Sequence, residues 1–219
     1  PGGGVRSVAA EPARPVVRHD KCMDARVRAP ELRGRGWLNT GGRSLTLREL
    51  RGRVVLLDFW TFCCVNCLHV LDELRPLEDK YPDVLVAIGV HSPKFEHEKD
   101  PAALAAAVER YGVSHPVLDD PELEMWQQYA ARAWPTLSVV DPEGYVVATM
   151  AGEGHAEGLT RLIDELIAIH EAKGTLRRGD GPACRLRRRL LAGLRVARHL
   201  RGPARRVVGV LCASAGAGQ

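Results

Sequence analysis

Residues 53–67 read Arg-Val-Val-Leu-Leu-Asp-Phe-Trp-Thr-Phe-Cys-Cys-Val-Asn-Cys, and this stretch carries the clearest structural signal in the chain. Its first half is a nearly continuous apolar run, interrupted at Asp58, which is typical of a strand covered on both faces of a sheet. After Cys64, leucines recur at helical spacing until Tyr81-Pro82 ends the pattern. The stretch therefore predicts a buried strand, a turn bearing cysteines and an amphipathic helix.

The rest of the chain alternates strand and helix patterns. The predicted elements are, in order, a strand at Val84–Val90, a helix capped by Asp100 that runs from Pro101 to about Tyr111, a short helix from Asp120-Pro121 through Tyr129, strands at Leu137–Val140 and Tyr145–Met150, and a helix from Ala156 to about Ala172. Helices alternate with the early strands and a hairpin completes the sheet. This order predicts an α/β domain with three layers.

Charge is distributed unevenly along the chain. Residues 174–219 carry eleven Arg against one acid, and residues 1–36 carry eight basic and four acidic side chains, so the net charge of +4 leaves −10 on residues 37–173. We expect an acidic folded domain at 37–173, a mostly disordered basic lead at 1–36 and an Arg-rich tail at 174–219. The basic termini are therefore no reason to expect nucleic-acid binding by the folded part.

The Arg-rich tail leaves several interpretations open. Its leucines between Leu186 and Leu194 have the spacing of a weak basic amphipathic helix, which would bind an anionic membrane surface or nucleic acid. A solvated, disordered arm and a truncated or out-of-frame coding sequence are the alternatives. No apolar run reaches the roughly 18 residues of a membrane span. Residues 1–11 lack the apolar centre of a signal peptide, so we expect a cytoplasmic location.

The cysteines indicate redox chemistry. Three of the six lie within five positions, unlike the more even spacing of a secreted disulfide framework. Cysteines three residues apart at a helix start can close a disulfide, and the N–H groups there favour a thiolate. We predict that Cys64, at the exposed end, attacks a disulfide and that Cys67, one turn inward, resolves the mixed disulfide.

Other roles for these residues remain open at this stage. Cys64 and Cys67 are alternatively buried structural thiols, or metal ligands together with Cys63 and His69, although no second ligand pair with zinc-finger spacing exists. Asp58 either faces solvent at the sheet end or is buried with a raised pKa, in which case it relays the proton of Cys67. Four histidines are predicted to be surface or capping residues: His69, His91, His97 and His155.

The motif resembles the thioredoxin pattern of a buried Asp, Phe-Trp, three residues and CxxC. This resemblance implies a thioredoxin-like fold with a mixed central sheet and flanking helices. It places Asp58 on the buried acid, Cys64 and Cys67 on the redox pair, and Cys63 where the family usually has Trp. Trp134-Pro135-Thr136 looks like the cis-proline segment that faces the pair. We expect a substrate-binding surface formed by Trp60, Trp134, Pro135 and Thr136.

Further segments indicate which thioredoxin-like proteins the chain resembles most. Residues 45–55 and the long stretch between Cys67 and Pro135 resemble thiol reductases of the TlpA type. The Cys-Cys-x-Asn-Cys form and the segments His91–Phe95 and Ala151–His155 resemble the thioredoxin-like domain found ahead of an NHL-repeat propeller. The resemblance covers about residues 37–181.

We therefore expect a thiol–disulfide oxidoreductase that acts on a protein or low-molecular-weight disulfide and is restored by a thiol reductant. No cofactor and no metal are expected. The alternative is a thioredoxin-like binding module without turnover, of the NHL-repeat type but lacking the propeller. Cys63 either fills the usual Trp position, forms an adjacent disulfide with Cys64 or acts as a regulatory thiol.

Overall fold

The computed structural model describes residues 26–179, so the expectations for residues 1–25 and 180–219 lie outside the described residues. The strands are β1 (Val27–Arg28), β2 (Gly36–Leu38), β3 (Val54–Trp60), β4 (Leu85–His91), β5 (Val117–Asp119), β6 (Thr136–Val140) and β7 (Tyr145–Ala151). The helices are α1 (Val65–Lys80), α2 (Pro101–Arg110), α3 (Glu124–Gln128) and α4 (Ala156–Ala172), with a short 3-10 helix at Glu96–Lys99.

All seven strands form one mixed sheet in the order β1-β7-β6-β3-β4-β5-β2. Strand β3 lies at its centre, parallel to β4 and antiparallel to β6. Every residue of β3 is buried, as the apolar run predicts. This arrangement confirms the thioredoxin-like α/β fold with a mixed sheet and flanking helices.

Alternate residues of β3 bury their side chains in cores on opposite faces of the sheet. Phe59 packs in one core with Met125 of α3. Leu56 packs in a second core with Leu74 of α1 and Ile163 of α4. Each face of the sheet is therefore covered, and the end of β3 is held rigidly where the chain turns into α1.

Local capping signals predicted one helix start correctly and misplaced another. Asp100 caps α2, because its carboxylate accepts a hydrogen bond from the N–H of Ala102 at 2.9 Å. The short helix α3 begins at Glu124, later than Asp120-Pro121 predicted. Asp120 still contributes, because its carboxylate accepts hydrogen bonds from the N–H groups of Met125 and Trp126 at 3.2 and 3.1 Å.

The described fold extends beyond both predicted ends of the domain. Strand β1 precedes Trp37 and pairs with β7 through Val27 and Val146. After α4, the N–H of Arg177 donates to the carbonyl of Gly52 at 2.7 Å. The segments flanking residues 37–173 therefore pack against the sheet edge and the loop before β3.

None of the helices within residues 26–179 has both the length and the apolar character needed to cross a lipid bilayer.

Candidate active site

Cys64 lies at the junction of the buried strand and the helix. It is the N-cap residue of α1, and its Sγ accepts a hydrogen bond from the N–H of Cys67 at 3.3 Å. Its thiol also lies 3.8 Å from the carbonyl oxygen of Trp134 and is half-buried. A backbone N–H directed at sulfur favours negative charge there, which is the form of cysteine that attacks disulfides.

Cys67 has a very different environment one turn into α1. Its side chain is fully buried. Burial, together with the neighbouring sulfur of Cys64 and the charge of Asp58, raises the pKa of Cys67. Both Cys64 and Cys67 carry free thiols in this structure. The pair therefore combines one accessible sulfur with one buried sulfur that holds its proton.

Asp58 is buried on β3, which settles the choice left open by the sequence. The residue has no exposed surface, and neither carboxylate oxygen has a hydrogen-bond partner among residues 26–179. Burial raises the pKa of Asp58 to about 7, against an opposing effect of the charge on His115. A carboxyl with this pKa exchanges its proton near neutral pH, as a general base for a buried thiol requires.

The segment facing Cys64 has the expected form, although part of the predicted substrate surface does not exist. The Trp134–Pro135 peptide bond is cis. Trp60, however, is fully buried against His91 with a ring separation of 5.6 Å, so it cannot contact a substrate. Pro135 is buried, and the buried Thr136 hydroxyl donates to the carbonyl of Ala133 at 2.7 Å. Of the four predicted substrate-binding residues, Trp134 is the one that is partly exposed.

Sequence reasoning missed Glu98, which organises the turn ahead of the cysteines. Its carboxylate accepts hydrogen bonds from the Thr61 hydroxyl and from the N–H groups of Cys63, Lys94 and Phe95. Burial alone would raise the pKa of Glu98, but these hydrogen bonds outweigh it and lower the pKa. The family resemblance indicated only the neighbouring segment His91–Phe95. A single Glu three residues after this segment has no spacing or pattern that predicts its contacts.

His91 and Cys63 complete the surroundings of the pair. The prediction of a surface position for His91 is wrong, because the residue is fully buried and stacks on Phe62 at 5.3 Å. Burial lowers the pKa of His91 to about 4, so the ring is neutral at pH 7. Cys63 is half-buried, and its Sγ lies 3.4 Å from Nε2 of His97.

The metal site considered from the sequence does not assemble. His69 instead pairs with Glu153, with its Nδ1 2.7 Å from a Glu153 oxygen. Within residues 26–179, the one converging trio of ligand-type groups is Asp141, Glu143 and His170, far from the cysteine pair in sequence. Arg26 already binds both acids of this trio, at 2.6 and 3.1 Å. A guanidinium therefore supplies the positive charge between them.

Comparison with known proteins finds a family model that spans the site. A family model described as thioredoxin-like matches residues 52–146, which include β3, the cysteines and the cis-proline segment. These residues are therefore similar to the thioredoxin-like family. The solution structure of a thioredoxin-like protein in the oxidized form aligns with a TM-score of 0.58 and 26% identity, covering 67% of this chain and 98% of that chain.

Three curated proteins show which kinds of protein contain a domain similar to this chain. Protein SUPPRESSOR OF QUENCHING 1, chloroplastic, of Arabidopsis thaliana is 46% identical over 141 residues, which are 64% of this chain and 13% of that protein. NHL repeat-containing protein 2 of Gallus gallus is 40% identical over 168 residues, covering 74% of this chain and 23% of that protein. Thiol-disulfide oxidoreductase YkuV of Bacillus subtilis (strain 168) is 26% identical over 151 residues, covering 68% of this chain and 100% of that protein.

The likeness to a domain of NHL-repeat proteins is therefore confirmed. The chain spans less than a quarter of the length of the Arabidopsis and Gallus relatives. It spans the full length of the Bacillus relative, which is named for thiol–disulfide exchange. These names support a thioredoxin-like redox role for the domain.

Proposed function

We propose that the protein is a thiol–disulfide oxidoreductase in which Cys64 attacks and Cys67 resolves. The observation that carries this proposal is the asymmetry of the pair. The half-exposed Sγ of Cys64 accepts the Cys67 N–H at 3.3 Å, whereas the Cys67 side chain is fully buried. An incoming disulfide therefore reaches Cys64 first, and Cys67 becomes reactive only within the mixed disulfide.

The exchange proceeds in two balanced steps. The Cys64 thiolate attacks one sulfur of the substrate, the substrate S–S bond breaks, and the departing thiolate takes a proton from solvent. Cys67 then gives its proton to Asp58, and its thiolate attacks the sulfur of Cys64. The mixed disulfide breaks, the second substrate thiolate leaves, and a Cys64–Cys67 disulfide forms. The substrate has then been reduced by two electrons and the cysteine pair oxidised by two electrons. A thiol reductant restores the dithiol.

Asp58 is suited to the second step because its pKa of about 7 lies near the pH at which it would work. An ordinary aspartate would hold a proton too weakly to take it from a buried thiol. Both side chains are buried, and the charge of Asp58 contributes to raising the pKa of Cys67. We propose Asp58 as the general base of the resolving step.

The surroundings of Cys64 favour an extended peptide disulfide as one class of substrate. Val65 and Phe95 are 63% and 47% exposed and offer apolar contact. The carbonyl of Trp134, 3.8 Å from Cys64 Sγ, belongs to the cis-proline segment and borders the same surface. Small disulfides would reach Cys64 with fewer of these contacts. Protein and low-molecular-weight disulfides are both candidate substrates.

Variants of the three cysteines in the full chain test the proposal. Cys64→Ser should abolish reduction of insulin and of a small disulfide. Cys67→Ser should accumulate a mixed disulfide on Cys64, identifiable by mass spectrometry, because the resolving sulfur is absent. Cys63→Ser is the matched control and should retain turnover, since its backbone N–H to Glu98 is kept.

Equal reduction rates for the wild type and Cys64→Ser would overturn the proposal and leave a binding module without turnover. Thiol counting during a redox titration separates the same two alternatives. A reversible loss of two thiols at Cys64 and Cys67 supports exchange. Retention of both thiols under oxidising conditions contradicts it.

A further inference from the structure

Apart from Asp58 and Cys67, a second pair of ionisable groups is buried in the fold. Glu78 lies on α1, and His115 lies in the loop before β5. Their side chains are 5% and 4% exposed, and Nδ1 of His115 is 3.6 Å from Oε2 of Glu78. Charged groups are rarely so buried, because removing them from water is costly unless they are paired or have a role.

His115 reaches the strand next to Asp58. In the parallel pairing of β3 with β4, Asp58 lies opposite Gly89. A Cβ on Gly89 would come within 3.3 Å of His115 Nε2 and 2.9 Å of Trp60 Nε1. Paired residues of adjacent strands project to the same face, so the Asp58 carboxyl and the His115 ring lie on one side of the sheet. Gly89 is therefore the residue whose missing side chain admits the imidazole.

The facing polar atoms are left without hydrogen bonds in the described part of the chain. They are both carboxylate oxygens of Asp58, Nε2 of His115 and Nε1 of Trp60. Buried polar atoms normally have partners, and exceptions are commonly found where a proton is exchanged. The charge on His115 also acts on Asp58 and opposes the effect of burial.

Helix α1 joins both ends of this arrangement. Cys67 and Glu78 are both buried residues of its inner face. Glu78 follows Cys67 by about three turns, or about 16 Å. A series of ionisable groups therefore runs beneath the helix from Cys67 to Asp58, His115 and Glu78.

We propose, on the basis of the thiol–disulfide exchange proposed above, that His115 and Glu78 are positioning residues that control when Asp58 takes the proton of Cys67. The Glu78 carboxylate lies 3.6 Å from Nδ1 of His115 and offsets positive charge on the ring. Charge on His115 favours the ionised Asp58 carboxyl, which is the form that accepts a proton. Once Asp58 has taken the proton of Cys67, Glu78 remains to balance the charge of His115. The groups facing Asp58 are thus Cys67 from α1 and His115 from the loop before β5.

Two variants test whether Glu78 acts on Asp58 through His115, and Glu78→Gln separates this relay from a direct effect of charge. His115→Gln removes the cation, so the titration midpoint of Asp58 should rise by about one pH unit. Glu78→Gln removes the anion that offsets the charge of His115, so a relay through His115 predicts a rise here too. A direct interaction between Glu78 and Asp58 predicts a fall instead, because a nearby anion disfavours the ionised carboxyl.

The midpoint is measured by NMR titration of the Asp58 carboxyl carbon in the reduced full chain. Asp72→Asn is the matched control on α1, because its side chain is 78% exposed and should leave the midpoint unchanged. The rate of mixed-disulfide resolution against pH should shift with the midpoint in both variants. A merely structural role would lower the rate at all pH values without moving the profile.

Several results would overturn the relay. They are an unchanged midpoint in His115→Gln or a falling midpoint in Glu78→Gln. If neither variant folds, the wild type decides, since the ring nitrogens of His115 should show an inflection at the Asp58 midpoint, and its absence contradicts the relay. The titration needs no substrate, so it can succeed even if the chain shows no disulfide turnover. That second result would count against the proposed function alone.

Discussion

The carboxylate of Glu98 accepts a hydrogen bond from the backbone N–H of Cys63 at 3.1 Å, across 35 positions of sequence. The same carboxylate accepts a hydrogen bond from the hydroxyl of Thr61. Glu98 lies in the 3-10 helix at Glu96–Lys99, which precedes α2. The loop after β4 therefore holds the turn from which Cys64 is presented.

Replacing Glu98 should therefore disturb both stability and the site. Glu98→Gln keeps the shape but exchanges one acceptor oxygen for a donor, which leaves buried N–H groups without a partner. We expect the free energy of unfolding to fall by about 2–3 kcal/mol. Disulfide reduction should also slow, because Cys63 and Cys64 lose their anchored turn. Urea denaturation and an insulin assay measure the two effects.

The control for Glu98 lies two residues earlier. Glu96→Gln makes the same chemical change on a side chain that is 86% exposed and pairs with Lys99. Its effect on unfolding should stay within about 0.5 kcal/mol. Equal effects of the two substitutions would contradict an anchoring role for Glu98.

Asp58 should lower stability at alkaline pH. Its pKa is about 7 in the folded protein, against 3.8 for an aspartate exposed to water, as in the unfolded chain. The folded state therefore binds more protons between these two values. The stability associated with this group is fully present below pH 3.8 and is lost as the pH rises through 7. Asp58→Asn should therefore stabilise the reduced protein at pH 8 by about 4 kcal/mol more than at pH 4.

Denaturation of both proteins at the two pH values checks the Asp58 prediction. The same variant should slow resolution of the mixed disulfide, because the base is gone. A stabilisation independent of pH would mean that the carboxyl is not buried as a titrating group. A resolution rate equal to the wild type would exclude Asp58 as the base.

His91 should make the fold sensitive to acid. Burial lowers its pKa from 6.5 to about 4, so the unfolded chain binds more protons between these values. Stability from this group is present above pH 6.5 and is lost as the pH falls toward 4, by about 3 kcal/mol. His91→Phe keeps an aromatic ring beside Phe62 and should lose less stability over this interval than the wild type.

An exposed histidine supplies the comparison for His91. His69 is 59% exposed, and His69→Gln should leave the acid response of the wild type almost unchanged. The measurement is the free energy of unfolding in urea at several values between pH 4 and 7. A wild type and His91→Phe that lose stability in parallel would show that His91 takes up its proton in the folded state.

Trp134 should affect large substrates more than small ones. Its ring stacks on Trp126 with centroids 4.1 Å apart, and its Nε1 donates to the carbonyl of Ser92 at 2.8 Å. Trp134→Ala should raise KM for a protein disulfide about tenfold, equivalent to about 1.4 kcal/mol of lost contact. The rate with a small disulfide should change much less, because fewer contacts are involved.

The conservative variant separates contact from positioning at this residue. Trp134→Phe keeps an aromatic ring but loses the hydrogen bond to Ser92. It should keep most of the affinity for a protein disulfide. Steady-state kinetics with both substrate classes provide the readout, and equal losses for small and large substrates in Trp134→Ala would contradict a binding role.

Elements with strong local signals were predictable from the sequence. The apolar run of β3, the leucine spacing of α1 and the Asp100 cap of α2 all appear within a few residues of chain. Strands β1, β2 and β5 have two or three residues each and were missed. Such short strands have no period of their own and exist because a neighbouring strand supplies hydrogen bonds.

Local sequence patterns predict that a buried strand leads into a helix at Cys64 and that Cys67 lies one turn inside it. Spacing and alternation establish that much, because they are properties of consecutive residues. The burial of Asp58 and Trp60, the hydrogen bond from Cys63 to Glu98 and the effect of His115 on Asp58 all depend on contacts made in the folded protein. Alternation says which residues share a face of a strand, whereas the groups that cover that face arrive from distant parts of the chain.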